Sequence, residues 1–365
     1  MTGSLGPGGK ERQLSYLLKA LSDQCSIQLI VFNEQIFYKE ILAMPIQLYV
    51  FKKRARYTIS TIFQTYKALA EFSPDIIHAW DNMSQFIALP YIISHRVKVV
   101  NGSIRYAGKI KKSITFRIIQ KVGFVTSDLI VSNSEAGTKV ENLQESKKTT
   151  VIHNGFDFSA FGKEKGTPKN NLKTLVKRFT HSIVMVARFD PSKDYITFIE
   201  AAKILAKTNP NVGFFCIGDG PNRKQAETQA GPLLNRSIFF LGQRSDLHQI
   251  IHFFDVGVLL SNTNGHAEGI SNAIMEYMVA GLPVVATDAG GTPELFKDRK
   301  CGFLVPAFDA ITVAKKFEYL IENEHIRNEM GIKAIEIIED DFSIQKMATS
   351  YSRLYTQLTA KNHFM

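Results

Sequence analysis

The sequence predicts an α/β protein built from two doubly wound parallel-sheet domains. Short apolar runs alternate with longer amphipathic runs in two successive series, as expected when strands and helices alternate in a parallel sheet. A polar, charged stretch without clear periodicity, residues 161–180, separates the two series and is predicted to be the interdomain linker. The length of 365 residues also suits about two domains.

The first series of predicted elements occupies residues 1–165. It opens with a glycine-rich loop, GSLGPGG at residues 3–9, followed by an amphipathic helix from Gln13 to Leu21. Such a loop ordinarily follows a strand, but only Met1 and Thr2 precede it here. Further strands are predicted at 27–32, 46–51, 74–80, 97–100 and 128–132, and helices at 59–72, 83–94, 114–125 and 135–143.

The second series occupies residues 166–345, and a final helix in residues 346–365 is expected to cross back to the N-terminal domain. Strands are predicted at 181–187, 212–217, 238–241, 258–260 and 283–286. Helices are predicted at 195–208, 222–234, 247–254, 271–279, 310–322, 325–339 and 344–358.

One strand–loop–helix–strand stretch, VLLSNTNGHAEGISNAIMEYMVAGLPVVATDAGG at residues 258–291, has a chemical interpretation. A helix that begins near Ser271 offers free N–H groups and a positive dipole end to an anion such as phosphate. Glu276 lies about 7–8 Å further along the axis, which suits a carboxylate that accepts two ribose hydroxyls. Glu268 would face a sugar at the other end of the ligand. Taken alone, the two glutamates would be solvated surface residues.

A second element, VMVARFDPSKD at residues 184–194, places two cations after a predicted strand. Ligands of open α/β sheets bind at the carboxyl ends of the strands. Arg188 can grip phosphate oxygens in a bidentate manner, and Lys193 adds a point charge. Without the surrounding motif they would be ordinary surface charges.

The pattern E-G-x-x-N-x-x-x-E-x-M-x-x-G-x-P-V-V-A-T-x-x-G-G resembles the donor-site signature of glycosyltransferase family 4, a family of retaining nucleotide-sugar transferases. Its paired glutamates match Glu268 and Glu276, and its R-x-x-x-x-K-[GD] element matches Arg188 and Lys193. The resemblance covers about residues 3–355 and is strongest from 181 to 306. It implies the GT-B architecture, two Rossmann-like domains facing across a cleft.

The resemblance also implies roles for the matching residues. Arg188 and Lys193 would neutralise the leaving diphosphate, and Glu268 would hold the donor sugar, so these three are the predicted catalytic residues. The predicted donor-binding residues are Gly9, Arg244, Gly269, Ile270, Ser271, Asn272 and Glu276. The implied reaction is retaining front-face transfer from a nucleotide diphosphate sugar, UDP-linked by preference, to a hydroxyl of a glycan or lipid-linked acceptor in cell-surface polysaccharide or lipopolysaccharide assembly.

The first half of the chain departs from the family pattern. Many members place a histidine after the strand that is predicted here to end at Val100, whereas this chain continues with NGSIR. Asn101 or Ser103 could hydrogen-bond a sugar hydroxyl, and Arg105 could face phosphate or acceptor. His78 and the nearby Trp80 are further acceptor-side candidates, with a packing role as the alternative.

The family's first strand is also absent before the glycine-rich loop. The expectation from the sequence is a start codon assigned too late or a truncated product, which would affect stability and activity. Restoring an upstream apolar segment without any gain in solubility or activity would count against this expectation.

Charge is distributed unevenly along the chain. Residues 1–150 hold 20 Lys+Arg and 11 Asp+Glu, a net +9, whereas the remainder holds 24 and 23, a net +1. The basic residues 52–54, Arg56, Lys109, Lys111 and Lys112 are mixed with apolar and aromatic ones, so this face could contact an anionic membrane or a lipid diphosphate. It could equally be a solvated surface. Nucleic acid is disfavoured because no recognition motif accompanies the charge.

The remaining composition bounds the class of protein. Three widely spaced cysteines, Cys25, Cys216 and Cys301, give neither a disulfide framework nor a metal site. No D-x-D or H-x-x-x-H motif occurs, so no metal or other cofactor is expected. No signal peptide or membrane-length apolar run is seen, which favours a cytoplasmic protein with peripheral membrane contact.

Two alternatives remain open at this level. A GT-B nucleotide-sugar epimerase would consume donor without an acceptor. A non-catalytic glycan- or membrane-binding protein on a degenerate scaffold would bind UDP weakly or not at all.

Overall fold

The protein is described by a computed structural model that covers residues 1–52, 58–108, 112–158, 172–264, 267–296 and 300–360. Its contacts divide the chain into two compact units. The first contains the chain up to Gly155, except for a short stretch that begins at Tyr106, together with the segment from Ile344 onward. The second contains Phe156–Ser343 and that short stretch. The final helix thus groups with the first unit, and the boundary expected at residue 165 lies outside the described residues.

Two other predictions fall partly outside the described residues. They are the linker, for residues 161–171, and the basic surface, for residues 53–57 and 109–111. Within the described part of the predicted linker, residues Leu172–Val176 form a short helix. Leu172 and Val176 are 4% and 6% exposed and pack into the core of the second unit, which explains why this segment is ordered.

The first unit contains two parallel sheets and the helices that cover them. Its strands are β1 (Gln28–Val31), β2 (Gln47–Val50), β3 (Ile76–Ala79), β4 (Lys98–Ile104), β5 (Leu129–Ser132) and β6 (Thr149–Val151). Its first five helices are α1 (Gly9–Leu21), α2 (Ile59–Phe72), α3 (Asn82–His95), α4 (Ile114–Val125) and α5 (Glu135–Val140). Strands β1 and β2 pair with each other, and the other four follow the order β3-β4-β5-β6.

The first two residues connect these two sheets. The Thr2 N–H donates to Ile30 O at 3.0 Å, and the Phe32 N–H donates to Thr2 O at 3.1 Å. On the opposite side, the Trp80 N–H donates to Met1 O at 2.9 Å. Residues 1 and 2 therefore lie between β1 and β3.

The second unit is a six-stranded parallel sheet with helices around it. Its strands are β7 (His181–Val186), β8 (Val212–Ile217), β9 (Ile238–Phe240), β10 (Val256–Leu259), β11 (Val284–Thr287) and β12 (Gly302–Val305). Its helices are α6 (Leu172–Val176), α7 (Tyr195–Thr208), α8 (Arg223–Ala230), α9 (Leu247–Ile250), α10 (Asn272–Val279), α11 (Thr292–Leu295), α12 (Ala310–Glu322) and α13 (Glu324–Asp341). Helix α14 (Ile344–Ala360) returns to the first unit.

The strand order β12-β11-β10-β7-β8-β9 creates a topological switch point in the second unit. From β7 the chain builds outward through β8 and β9, then returns to place β10 on the other side of β7. The loops after β7 and β10 therefore leave the sheet side by side and in opposite directions. In open parallel sheets this crevice at the carboxyl ends of the strands is where ligands bind.

Candidate functional site

The loop after β7 is held in place by the glycine turn after β8. The Phe189 N–H donates to Asp219 O at 3.1 Å, and the Asn222 N–H donates to Phe189 O at 3.0 Å. Gly220 has φ +156°, and a Cβ there would lie 2.4 Å from Phe189 O. Only glycine allows this close approach, so the Asp219-Gly220-Pro221 turn shapes the loop that carries Arg188.

The same loop is bonded to the loop after β10. The Asp194 N–H donates to Leu260 O and the Asn262 N–H to Ser192 O, both at 2.9 Å. Lys193 forms an isolated backbone bridge with Ser261. These bonds cross the switch point and fix the backbone on either side of Lys193.

At this place Lys193 forms an ion pair with Glu268. The lysine side chain is 10% exposed and the glutamate side chain 30%. Burial lowers the pKa of Lys193 to about 8, and the nearby Asp190 carboxylate opposes that shift. A desolvated cation in reach of the crevice interacts strongly with an anionic ligand because little water screens it.

Arg188 lies on the same loop but faces solvent. Its side chain is 72% exposed, and its Nε lies 3.9 Å from Asp190 Oδ2. Asp190 in turn accepts the Ser192 N–H at 2.9 Å, which holds the carboxylate in the loop. Arg188 is thus exposed at the carboxyl end of β7, whereas Lys193 is largely buried and ion-paired.

The backbone of Glu268 is fixed by the Gly290-Gly291 turn and by Tyr106. The sequence predicted the glycine pair only as a turn and gave no role to Tyr106. The Gly291 N–H donates to Glu268 O at 2.8 Å, and Tyr106 forms an isolated antiparallel bridge with Glu268. Gly290 has φ +60°, and a Cβ there would lie 2.3 Å from Glu268 O. The Gly-Gly pair in the motif was the available signal: its glycines permit a close approach to the acidic loop.

Helix α10 begins beside this loop, at Asn272. Its N-cap residue Ser271 is 5% exposed and provides no side-chain cap hydrogen bond, so the serine does not cap the first-turn N–H groups. Gly269 and Ile270 are buried just before the helix. Glu276 is 8% exposed, one and a half turns into the helix. The glutamate is therefore not a solvated helix residue.

Arg244 follows β9 on the same edge of the sheet. Its Nε donates to Asp246 Oδ1 at 2.8 Å and its Nη2 to Asp246 Oδ2 at 2.5 Å. The hydrogen bonds from Arg244 are the main reason why the pKa of Asp246 is lowered. Strand β9 is two positions from β7, about 10 Å away at ~4.8 Å per strand. Arg244 is therefore held by Asp246 and does not point toward Arg188 or Lys193.

In the first unit, the predicted ending of a strand at Val100 was wrong. Strand β4 continues to Ile104 through a register irregularity between Asn101 and Ile104. Asn101 is 0% exposed, its Nδ2 donates to Gln85 Oε1 at 2.6 Å, and its Oδ1 accepts the Ser103 hydroxyl at 2.7 Å. Both side chains are therefore used in a buried polar network, which accounts for their presence without a ligand.

Three other acceptor-side candidates form one cluster with helix α14. The Arg105 guanidinium stacks 4.0 Å from the Trp80 ring centroid and donates to Tyr351 OH at 3.1 Å. His78 Nδ1 contacts Tyr355 OH at 2.7 Å, and burial, followed by nearby positive charges, holds the pKa of His78 well below its ordinary value. Trp80 is 1% exposed, which favours the packing role for its ring over the stacking on an acceptor sugar.

Gly9, the remaining predicted donor contact, is the first residue of α1. The glycine-rich loop thus leads into a helix N-terminus, as its sequence predicts. Gly8 precedes it, and a Cβ there would lie 2.2 Å from Glu11 Oε2.

Among the described residues, no cluster of three or more His, Cys, Asp or Glu side chains could hold a metal ion. Within the same ranges, each helix is too short or too polar to cross a membrane.

The chain forms two parallel α/β units, and the switch point of the second unit carries cations, an acidic loop and a helix N-terminus. These features define a protein of the GT-B class with a site suited to a nucleotide diphosphate ligand. Comparison with known proteins gives the family. The profile of "Glycosyl transferases group 1" matches residues 173–337, and that of "Glycosyltransferase Family 4" matches residues 7–160. The chain belongs to this family of glycosyltransferases.

Curated relatives include bacterial glycosyltransferases. The Escherichia coli UDP-Gal:alpha-D-GlcNAc-diphosphoundecaprenol alpha-1,3-galactosyltransferase is 30% identical over 217 residues, which is 58% of this chain and 54% of that protein. The Bacillus anthracis N-acetyl-alpha-D-glucosaminyl L-malate synthase is 24% identical over 244 residues, or 64% and 61% of the two chains. The matches thus span little more than half the length of these relatives.

Solved structures support the fold over nearly the whole chain. The Anabaena Alr3699/HepE structure in complex with UDP and glucose has a TM-score of 0.80 at 22% identity and covers 97% of both chains. A Rickettsia africae ESF-5 glycosyltransferase has a TM-score of 0.79 at 17% identity and covers 98% of this chain and 97% of the other. These likenesses establish the GT-B fold.

Proposed function

We propose that this protein is a metal-independent, retaining glycosyltransferase that moves a sugar from a UDP-sugar to a hydroxyl of a glycan or lipid-linked acceptor. The observation that carries the proposal is the meeting of Lys193, Glu268 and the start of α10 at the β7/β10 switch point. The relatives named above include one whose acceptor is a diphosphoundecaprenol, and the solved neighbour binds UDP and glucose.

In this proposal the charged groups act on the diphosphate. The bond between the anomeric carbon and the diphosphate oxygen breaks, and its electron pair stays on the diphosphate. Lys193, Arg188 and the N-terminus of α10 stabilise that charge. Electrostatic stabilisation of this kind is usually the largest contribution to such catalysis. Two cations and a helix N-terminus supply the positive charge that a divalent ion supplies elsewhere.

The acceptor hydroxyl attacks the anomeric carbon from the side that the diphosphate leaves. The new glycosidic bond forms on that face, so the configuration is retained, and the hydroxyl proton passes to the departing phosphate. Glu268 holds the sugar and Glu276 the ribose in this arrangement. Their placement is supported by the fixed backbone at Glu268 and by the buried position of Glu276.

Thermal unfolding in the presence of UDP-, GDP- and other nucleotide sugars tests the donor. A ligand at 100 times its Kd stabilises the native state by about 2.7 kcal/mol, so the preferred donor raises Tm measurably. Incubation with donor alone and with donor plus lipid-linked acceptor then tests transfer, with NMR of the new linkage to establish the anomeric configuration. An inverted product, a requirement for divalent metal, or conversion of donor to its epimer without acceptor would each overturn the proposal.

A further inference from the structure

The layer of helices α2, α3 and α4 in the first unit has an outer surface that does not resemble that of an ordinary soluble protein. Helix α2 packs against α3, and α3 against α4. Large apolar side chains are exposed on all three helices. They are Ile59 (86%), Phe63 (69%), Phe86 (37%), Ile93 (68%), Ile114 (78%), Phe116 (41%), Ile118 (57%) and Val125 (68%).

Helix α4 is apolar on two opposite sides. Its inner side buries Ile119 and Gly123. At about 100° per residue, the exposed Ile114, Ile118 and Val125 fall within an arc of about 40° on the opposite side. An apolar stripe opposite the buried face has no role in packing the unit, because the core is already covered by the inner side.

Helix α2 shows an inverted pattern. It buries Thr61 and Thr65, which are 5% and 0% exposed, and it exposes Ile59 and Phe63. The exposed face is therefore more apolar than this part of the buried one. This arrangement is unfavourable in water and favourable where the outer face meets a hydrocarbon phase.

Positive charge accompanies these apolar side chains in the sequence. Residues 41–70 contain five Lys or Arg and no Asp or Glu, and residues 82–127 contain eight Lys or Arg and again no acid. On α4, Arg117 and Lys121 are both exposed and, by helical spacing, border the apolar stripe. A stripe of apolar side chains edged by cations is the pattern of a helix that lies in a membrane interface.

The position of the apolar stripe also fits contact with a membrane interface. Helices α2 and α4 run back from the carboxyl ends of β2 and β4 toward the starts of β3 and β5. Their N-terminal turns, with Ile59, Phe63, Ile114 and Ile118, therefore lie toward the edge of the first unit's sheet at which its strands end. Ligands of such sheets bind at that edge.

We infer that the outer face of α2 and α4 docks on the surface of an anionic lipid bilayer, with Ile59, Phe63, Ile114 and Ile118 inserted among the acyl chains and Arg117 and Lys121 at the headgroups. The inference extends the proposed function, since a lipid-linked acceptor is carried in such a bilayer. It depends only on the surface and not on catalysis.

Co-sedimentation of the full chain with lipid vesicles, in the absence of any substrate, tests the docking inference. Wild-type protein should bind vesicles of phosphatidylcholine with phosphatidylglycerol much more strongly than vesicles of phosphatidylcholine alone. Ile114→Glu/Ile118→Glu should lower binding to both kinds of vesicle, by roughly tenfold for each apolar side chain removed. Arg117→Gln/Lys121→Gln should lower binding to anionic vesicles by about fivefold for each charge and leave binding to neutral ones unchanged.

Ile311→Glu/Ile332→Glu is the matched control, because these isoleucines are both 61% exposed but lie on α12 and α13 of the second unit. It should bind as wild type does. Since all the substituted side chains are exposed, each variant should keep the wild-type circular dichroism and Tm.

Three results would overturn the inference: no wild-type binding to anionic vesicles, equal loss of binding in the control, or a wild-type dimer that Ile114→Glu/Ile118→Glu dissociates without any vesicle binding. Transfer to a water-soluble acceptor, measured in parallel, separates the two proposals. Vesicle binding without transfer would refute only the function, and transfer without vesicle binding would refute only the docking surface.

Discussion

Lys193 and Glu268 come from loops on opposite sides of the switch point and form a direct ion pair. The pair is the only contact between two of the predicted catalytic side chains that the described residues show. A diphosphate bound at the start of α10 would compete with Glu268 for the lysine. In the proposed function Glu268 would then be released toward the sugar, so the substrate would replace the ion pair with two new contacts.

Breaking this ion pair one partner at a time should destabilise the ligand-free protein. Glu268→Gln leaves a buried cation and should cost roughly 2–3 kcal/mol. Lys193→Met leaves a partly exposed carboxylate and also removes a desolvated cation, so it should cost less. The double variant Lys193→Met/Glu268→Gln should cost less than the sum, with a coupling of at least about 1 kcal/mol. Urea unfolding without ligand measures the cycle. Additive effects would show that the two charges do not interact in solution.

Arg188 should matter for catalysis and not for stability. Its side chain is 72% exposed, so Arg188→Ala should change the free energy of unfolding by no more than about 0.5 kcal/mol. Loss of a charge that acts on the leaving group should lower kcat by about 10²–10³-fold.

Arg236→Ala is the matched control for that substitution. Arg236 is also exposed, but it precedes β9 and so lies at the amino edge of the same sheet. Steady-state transfer kinetics should show wild-type turnover for this variant. Full activity of Arg188→Ala would remove Arg188 from the mechanism.

Local sequence signals predicted the helices best. Helices α2, α4, α7 and α12 begin where their sequences indicate, because each follows a side-chain cap. The caps are Thr58, Ser113, Asp194 and Asp309, and each accepts a backbone N–H three residues on. Such caps act within one turn, so no tertiary information is needed to locate them.

Features that depend on distant partners were not predictable in this way. Asn101-Gly102 has the composition of a turn, yet it lies inside β4, because Asn82 and Gln85 from α3 satisfy the buried amide. The ion pair at Lys193 depends on the adjacency of β7 and β10, which are far apart in the chain. The motif identified which residues to inspect, and the sheet order determined which of them touch.

The pKa of Lys193 predicts how activity and stability change with pH. The free protein should lose the lysine charge above pH about 8, so kcat/KM should fall as pH rises through that value. The arginine of Lys193→Arg keeps its charge at every accessible pH, so kcat/KM of this variant should no longer fall above pH about 8. Its turnover should be lower than that of the wild type.

Stability should move in the opposite direction. Because the folded pKa lies below the ordinary value of 10.5, the unfolded chain binds more protons between pH about 8 and 10.5. The contribution of Lys193 to the free energy of unfolding therefore rises with pH across this window. Wild type compared with Lys193→Met in urea titrations at several pH values isolates that contribution. A flat difference would mean that the lysine keeps an ordinary pKa.

Gly290 should be required for the position of Glu268 as well as for folding. Gly290→Ala adds a methyl group 2.3 Å from Glu268 O at a φ of +60°. The positive φ alone should cost about 1 kcal/mol, and the steric overlap must also displace the Glu268 backbone or the glycine loop. Transfer activity should therefore fall together with stability.

Gly231→Ala separates these two effects. Gly231 has φ +55°, close to the φ of Gly290, and ψ −131°, but a Cβ there meets no atom within 4 Å. Its substitution should lower stability by about 1–3 kcal/mol, because this combination of φ and ψ is unfavourable for a residue with a Cβ, and leave kcat and KM for the donor sugar unchanged. If both alanine variants retain activity, the acidic loop does not need its glycine support. If both lose it equally, the loss reflects general instability rather than the displacement of Glu268.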